Sequence, residues 1–213
     1  MHISNPILFV KKDLIPRSIP YRIVAVLIPF LVLVIHIMVM TVTLPHNLFM
    51  TMIGLMAAYL LPPAGKETVI PIGIAVGIPW WYMALSIAMV DVETGLFMAL
   101  NFDLAYRIPF IGPLLSDLTV KTRQYIADHQ WLAGLWFFAV VLMVMVPVFG
   151  SGGIRGSIAG KILGINNLLV FLAILVGSLI GCFAIALGSD AILTYLCTNG
   201  TLPVEIGSRV CGG

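Results

Sequence analysis

Six charged side chains stand in places where charge is expensive. Lys66 and Glu67 lie in an apolar segment, residues 62–79, that Pro and Gly interrupt repeatedly. Asp91 and Glu93 sit inside the apolar run 83–102, and Arg155 and Lys161 are embedded in a second Gly-rich segment, residues 147–164. Inside a bilayer such a group costs at least about 2.5 kcal/mol unless it is paired or faces water. Two chemistries follow. A carboxylate buried on a pathway can take up and release a proton. A helix that begins within the membrane presents unpaired N–H groups and a positive dipole end, and glycine lets a ligand or another backbone approach closely. Together these make an anion or polar-group site. Asp91 and Glu93 are two positions apart and so point to different helix faces. One reads as a proton acceptor and the other as structural, the alternative being that both lie at the interface. Glu67 and Arg155 occupy matching broken segments and are expected to approach one another, or a shared cavity, near mid-membrane. The competing reading leaves both at the interface with their charged heads in water.

The elements that must position these groups are set by composition. Of 213 residues, 61% are hydrophobic and only 9% are charged, with mean hydropathy +1.11. Soluble domains carry about 25% charged residues, so a soluble enzyme and a disordered chain are both excluded. The expected class is an all-α polytopic membrane protein, residues 1–213 forming one integral membrane domain. Residues 1–22, with Lys11, Lys12, Arg17 and Arg22, read as a basic cytoplasmic leader rather than a cleavable signal peptide. Apolar runs at 23–44, 48–61, 83–102, 131–149 and 168–187 give about five spanning helices, although 48–61 is short for a crossing. Pro29 is expected to bend the first, where His36 is the lone ionisable group. Residues 107–130 read as an amphipathic surface connector. The tail, 197–213, holds Cys197, Cys211 and the sequon Asn199-Gly200-Thr201. A disulfide is open to it on an oxidising side of the membrane.

One unit occurs twice, at 48–106 and 131–196. Each copy is an apolar run, a broken segment with embedded charge, and a second apolar run. Paired broken segments point to two re-entrant segments forming a transporter site. The leader places the N-terminus in the cytoplasm. Five crossings would then put the tail outside and open both broken segments to the same side, whereas an inverted repeat requires opposite sides.

The second broken segment reads Pro147-Val148-Phe149-Gly150-Ser151-Gly152-Gly153-Ile154-Arg155-Gly156-Ser157. It resembles the Pro-x-Pro-Gly-Thr-Gly-Ala-Trp-x-Gly-Ser pattern of the small multidrug export protein family. Pro147, Gly150, Gly152, Gly156 and Ser157 match in register, Ser151 is a conservative change, and Phe149 and Arg155 depart. In the first segment the Ile70-Pro71-Ile72-Gly73 core agrees, while Glu67 falls where the family tends to carry a basic residue. Segment order and spacing agree over about residues 48–188. The plan is also similar to that of the DedA-like membrane proteins, which implies a second substrate class, lipid-linked phosphates such as polyprenyl phosphate. Residues and resemblance together mark Lys66, Glu67, Pro71, Pro147, Gly150, Ser151, Gly152, Arg155, Gly156 and Ser157 as candidate substrate-binding positions. Glu67, Asp91 and Glu93 are the candidates for coupling a proton or ion. Arg155 would suit a phosphate; a cationic substrate would favour the acidic groups.

The resulting expectation is a small gradient-driven transporter or exporter of small or amphipathic molecules. Alternatives are a translocase of lipid-linked phosphates and a structural membrane protein without transport. No nucleotide-binding motif is present. Four scattered His, three scattered Cys and the absence of H-E-x-x-H and G-x-S-x-G give no support to a membrane enzyme or a metal site. No cofactor is expected. Membrane lipids and a small-molecule or lipid-phosphate substrate are the expected partners, without nucleic acid, and a homodimer is in keeping with so small a transporter.

Overall fold

A computed structural model describes residues 19–61, 63–105, 117–122, 124, 135–146, 152–200 and 211. All regular structure among them is helical. The helices are α1 (Ile19–Thr43), α2 (His46–Leu60), α3 (Lys66–Ala75), α4 (Trp80–Ala105), α5 (Leu135–Met145), α6 (Gly152–Ile162) and α7 (Asn167–Thr198). Residues 117–122 form a further helical stretch with an exposed Lys121–Asp117 pair at 2.8 Å. Apart from residue 124, the rest of the expected connector lies outside the described residues.

Three helices are long and apolar enough to cross a membrane: α1, α4 and α7, of 25, 26 and 32 residues. At 1.5 Å per residue the shortest is about 37 Å long, against a hydrocarbon core of about 30 Å. The two other expected crossings correspond to α2 and α5, apolar helices of 15 and 11 residues, about 22 and 16 Å long. Pro29 lies inside α1, which continues through it to Thr43.

Helix α4 is the axis of the molecule, with 61% of its span buried against 22% for α1. Its sequence explains this: it is apolar on all sides and carries small residues, Ala84, Ser86, Ala88, Gly95 and Ala99, where neighbours press in. Helix α1 instead exposes Leu27, Leu31, Val34, Met38 and Val42. It runs antiparallel to α4, since Asn101 bonds the Ala25 carbonyl at 3.1 Å, Phe30 meets Phe97 and Thr43 meets Tyr82. Helix α7 is antiparallel to α4 as well: Trp80 stacks on Phe183, Ser178 bonds Asp91, and Gly95 faces Ile174. Helix α5 runs parallel to α7, because Gly177 packs on the Val141 carbonyl and Gly181 on the Met145 carbonyl. A side chain at either glycine would collide with backbone.

The two short helices α3 and α6 end alike. In α3 the Gly77 N–H bonds the Ile74 carbonyl and the Ile78 N–H bonds the Gly73 carbonyl, with Gly77 at φ +96°. In α6, Gly164 bonds Lys161 and Ile165 bonds Gly160, with Gly164 at φ +76°. Both are Schellman caps, which demand a left-handed residue that glycine supplies at little cost. The matching sequences are Gly73-x-x-x-Gly77-Ile78 and Gly160-x-x-x-Gly164-Ile165. After each cap a long helix begins, α4 at Trp80 and α7 at Asn167. Gly73 packs against Met83 and Gly160 against Val170, the same ten-residue register in both hairpins. In the tail Cys197 is disulfide-bonded to Cys211, with Cα atoms 5.6 Å apart.

Candidate functional site

The centre of the site is Asp91, fully buried halfway along α4. Its Oδ1 accepts from the Tyr59 hydroxyl at 2.7 Å and from the Gly153 N–H at 3.0 Å. Its Oδ2 accepts from the Ser178 hydroxyl at 2.8 Å and from Lys66 Nζ at 3.2 Å. An ionised carboxylate offers about four acceptor positions, and all are used. Four elements supply the donors: α2, α6, α7 and α3.

Lys66 is 1% exposed and is the first residue of α3. Besides the ion pair with Asp91, it donates to the Val144 carbonyl at 2.8 Å. Val144 lies in the last turn of α5, where carbonyls lack helical partners and a cation suits the negative dipole end. Gly153 lies in the first turn of α6, where an anion suits the positive end. The two buried charges therefore cap two helix ends: Lys66 the end of α5, Asp91 the start of α6. Gly152 N–H donates to the Tyr59 hydroxyl at 3.2 Å, continuing the network. Gly153 is required by space, since a Cβ there would run into the Asp91 backbone, and a Cβ on Gly152 would crowd the Asp91 carboxylate. At the Gly-rich start of α6 the acceptor is thus the chain's own Asp91.

The other sequence candidates are placed as follows. Ser157 is buried and donates to the Gly95 carbonyl at 2.7 Å, fixing α6 on α4, and Gly156 sits beneath Val144. Pro71 is half-buried inside α3. Glu67, in the first turn of α3, is half-buried; its Oε2 has no hydrogen-bond partner among the described residues. Between Glu67 and Arg155, expected to approach one another or a shared cavity, the described residues hold no ion pair. The reason is register, because the first position of α3 points at α4 and α5, and Lys66 occupies it. Pro147, Gly150 and Ser151 lie outside the described residues. Lys161 bonds the Asn167 side chain beside the α6 cap. Glu93, as its spacing from Asp91 requires, faces away toward α1, where its Oε1 meets His36 Nδ1 at 2.9 Å. Both are buried.

Tyr59, Gly153 and Ser178 were not marked as site residues by the sequence reading. One signal would have found Ser178. Aligning the two Gly-x-x-x-Gly-Ile caps sets an offset of 87 positions, and Asp91 and Ser178, hydrogen-bonded to each other, are separated by that same 87. The bond joins equivalent positions of α4 and α7. Tyr59 has no such signal, since its role is created by the fold alone.

No curated protein and no solved structure matches the chain. A family match covers residues 67–184, more than half of the chain, and takes in α4, α5, α6 and most of α3 and α7. The chain is an apolar, helical membrane protein, and it belongs to the family described as "Putative small multi-drug export protein".

Proposed function

We propose that the protein is a gradient-driven transporter of small or amphipathic molecules, built from two inverted units that meet at the Lys66–Asp91 pair. The observation that carries this reading is the pair itself, buried where α3 and α6 begin and α5 ends against the middle of α4. In this reading α2 enters from the face where α4 begins, reaches mid-membrane at Tyr59, and α3 returns to the same face. Helices α5 and α6 do the same from the face where α7 begins. Because α4 and α7 are antiparallel, the two hairpins enter from opposite faces. This replaces five crossings by three, and it reconciles an inverted repeat with a cytoplasmic N-terminus and an outside tail. The connector 107–130, with Arg107, Lys121 and Arg123, falls on the cytoplasmic side in this reading, in line with the positive-inside tendency. The Cys197–Cys211 bond falls on the outside, in keeping with an oxidising compartment.

The pair supplies a coupling device. Neutralising Asp91 strands a buried ammonium and frees the start of α6; breaking such a pair costs about 3–5 kcal/mol. A population shift from 1:99 to 99:1 requires about 5.5 kcal/mol, so one proton or substrate event at Asp91 supplies much of what is needed to part the two units. A lipid-linked phosphate would compete for the donors Asp91 already holds, and for that reason the reading assigns this site to coupling and not to a phosphate headgroup. The test is substrate flux in proteoliposomes under an imposed proton or sodium gradient. Gradient-dependent accumulation that disappears in Asp91→Asn is expected. A folded Asp91→Asn protein with wild-type flux would overturn the role given to the pair, and absence of gradient-dependent flux of any substrate would overturn the transporter reading.

A further inference from the structure

A cavity of about 460 Å³ lies between α1, α2, α4 and α6, walled by Phe30, Ile37, Met56, Phe97 and Ile154 among others. Its lining is apolar save for Thr94 and one ionisable group, Glu93. The carboxylate is held from the far side by His36. Position 180, which the 87-residue offset makes equivalent to Glu93, is an exposed isoleucine. The second unit therefore has no counterpart to this acid, and packing symmetry does not call for it.

From this we infer that the cavity is a binding site for a lipophilic cation: one positive charge on an apolar body. The inference rests on the transporter reading and names the substrate class. Volume, apolar walls and a single polar anchor are the marks of a small-molecule site. The sign of the anchor decides the charge. An anion would be set against Glu93, and a neutral molecule would gain nothing from a carboxylate that His36 already holds. The rings of Phe30 and Phe97, edge to face with centroids 6.2 Å apart, add aromatic surface suited to a cation. Ile154, in the cavity wall, adjoins Gly153, whose N–H holds Asp91. An occupant thus touches the residue next to the coupling pair. The competing occupant is a lipid acyl chain, which would be indifferent to both charge and Glu93.

Equilibrium binding to detergent-purified, full-length protein tests this, using radiolabelled tetraphenylphosphonium and, as competitor, the size-matched anion tetraphenylborate. Saturable binding of the cation is expected, with no competition by the anion. Glu93→Gln is expected to weaken binding at least tenfold, and Ala57→Phe, which fills the cavity from its rim, to abolish it. The inference is overturned by equal competition from the anion, by unchanged affinity in Glu93→Gln, or by unchanged binding in Ala57→Phe. If Glu93→Gln does not fold, the anion competition and Ala57→Phe still decide. Binding without gradient-driven flux would defeat the transporter reading alone, whereas flux of another substrate without cation binding would defeat this inference alone.

Discussion

The two hairpin units share a backbone plan and differ in charge. In each, a short apolar helix is followed by a helix of ten or eleven residues, a Schellman cap and a long helix. The first unit brings Lys66, Asp91 and Tyr59 to the centre, and the second answers with Gly153, Ser178 and two bare helix ends. Charge in one half thus caps backbone dipoles in the other. A fully neutral pair of units would pack at least as well, since buried ion pairs replaced by apolar residues are often neutral or more stable. In the proposed reading the charge of Lys66 and Asp91 serves coupling, and the asymmetry gives the two halves different duties.

Six substitutions break or sharpen this comparison. Asp91→Ala has the largest expected effect: it strands Lys66 and should cost about 3–5 kcal/mol, read as a large fall in the thermal midpoint. Adding Lys66→Met should recover a good part of it, and strict additivity in that double-mutant cycle would show that the pair is not coupled. Gly153→Ala forces a methyl against the Asp91 backbone, which should cost about 1–3 kcal/mol, and the loss should persist in the double mutant because its cause is steric. Gly77→Ala and Gly164→Ala each place a side chain at positive φ, at about 1 kcal/mol apiece. Near-equal values by denaturation would support the equivalence of the two caps, and a large difference would argue against it. Ser178→Ala removes one of four donors to Asp91 and should cost only about 0.5–1.5 kcal/mol. The contrast with Asp91→Ala at the equivalent position measures the asymmetry directly.

Much of this was legible in the residues. Runs of apolar residues long enough to cross gave α1, α4 and α7, and Pro and Gly marked the two interrupted segments. Spacing alone separated the faces of Asp91 and Glu93. Direction was the harder matter. A 14-residue apolar run does not say whether the chain crosses or turns back, and the contacts that bear on it, such as Asp91 with Ser178, join residues 87 apart. Glu67 and Arg155 occupy matching broken segments, but a match of segments does not fix register. Matching the glycine caps instead sets Asp91 against Ser178 and leaves Lys66, one position earlier, as the inward charge. Lys66 reaching the Val144 carbonyl, 78 positions away, had no local signature at all.

The most direct test is the sidedness of the two caps. Cysteines placed singly at Val76 and Leu163, equivalent positions in the two cap turns, would be probed in intact cells with a membrane-impermeant thiol reagent, in a Cys182→Ala background. Two hairpins entering from opposite faces predict labelling of Val76→Cys from outside and of Leu163→Cys only after the membrane is opened. Labelling of both from the same side would contradict the inverted arrangement, and with it the meeting of two opposed units at Lys66 and Asp91.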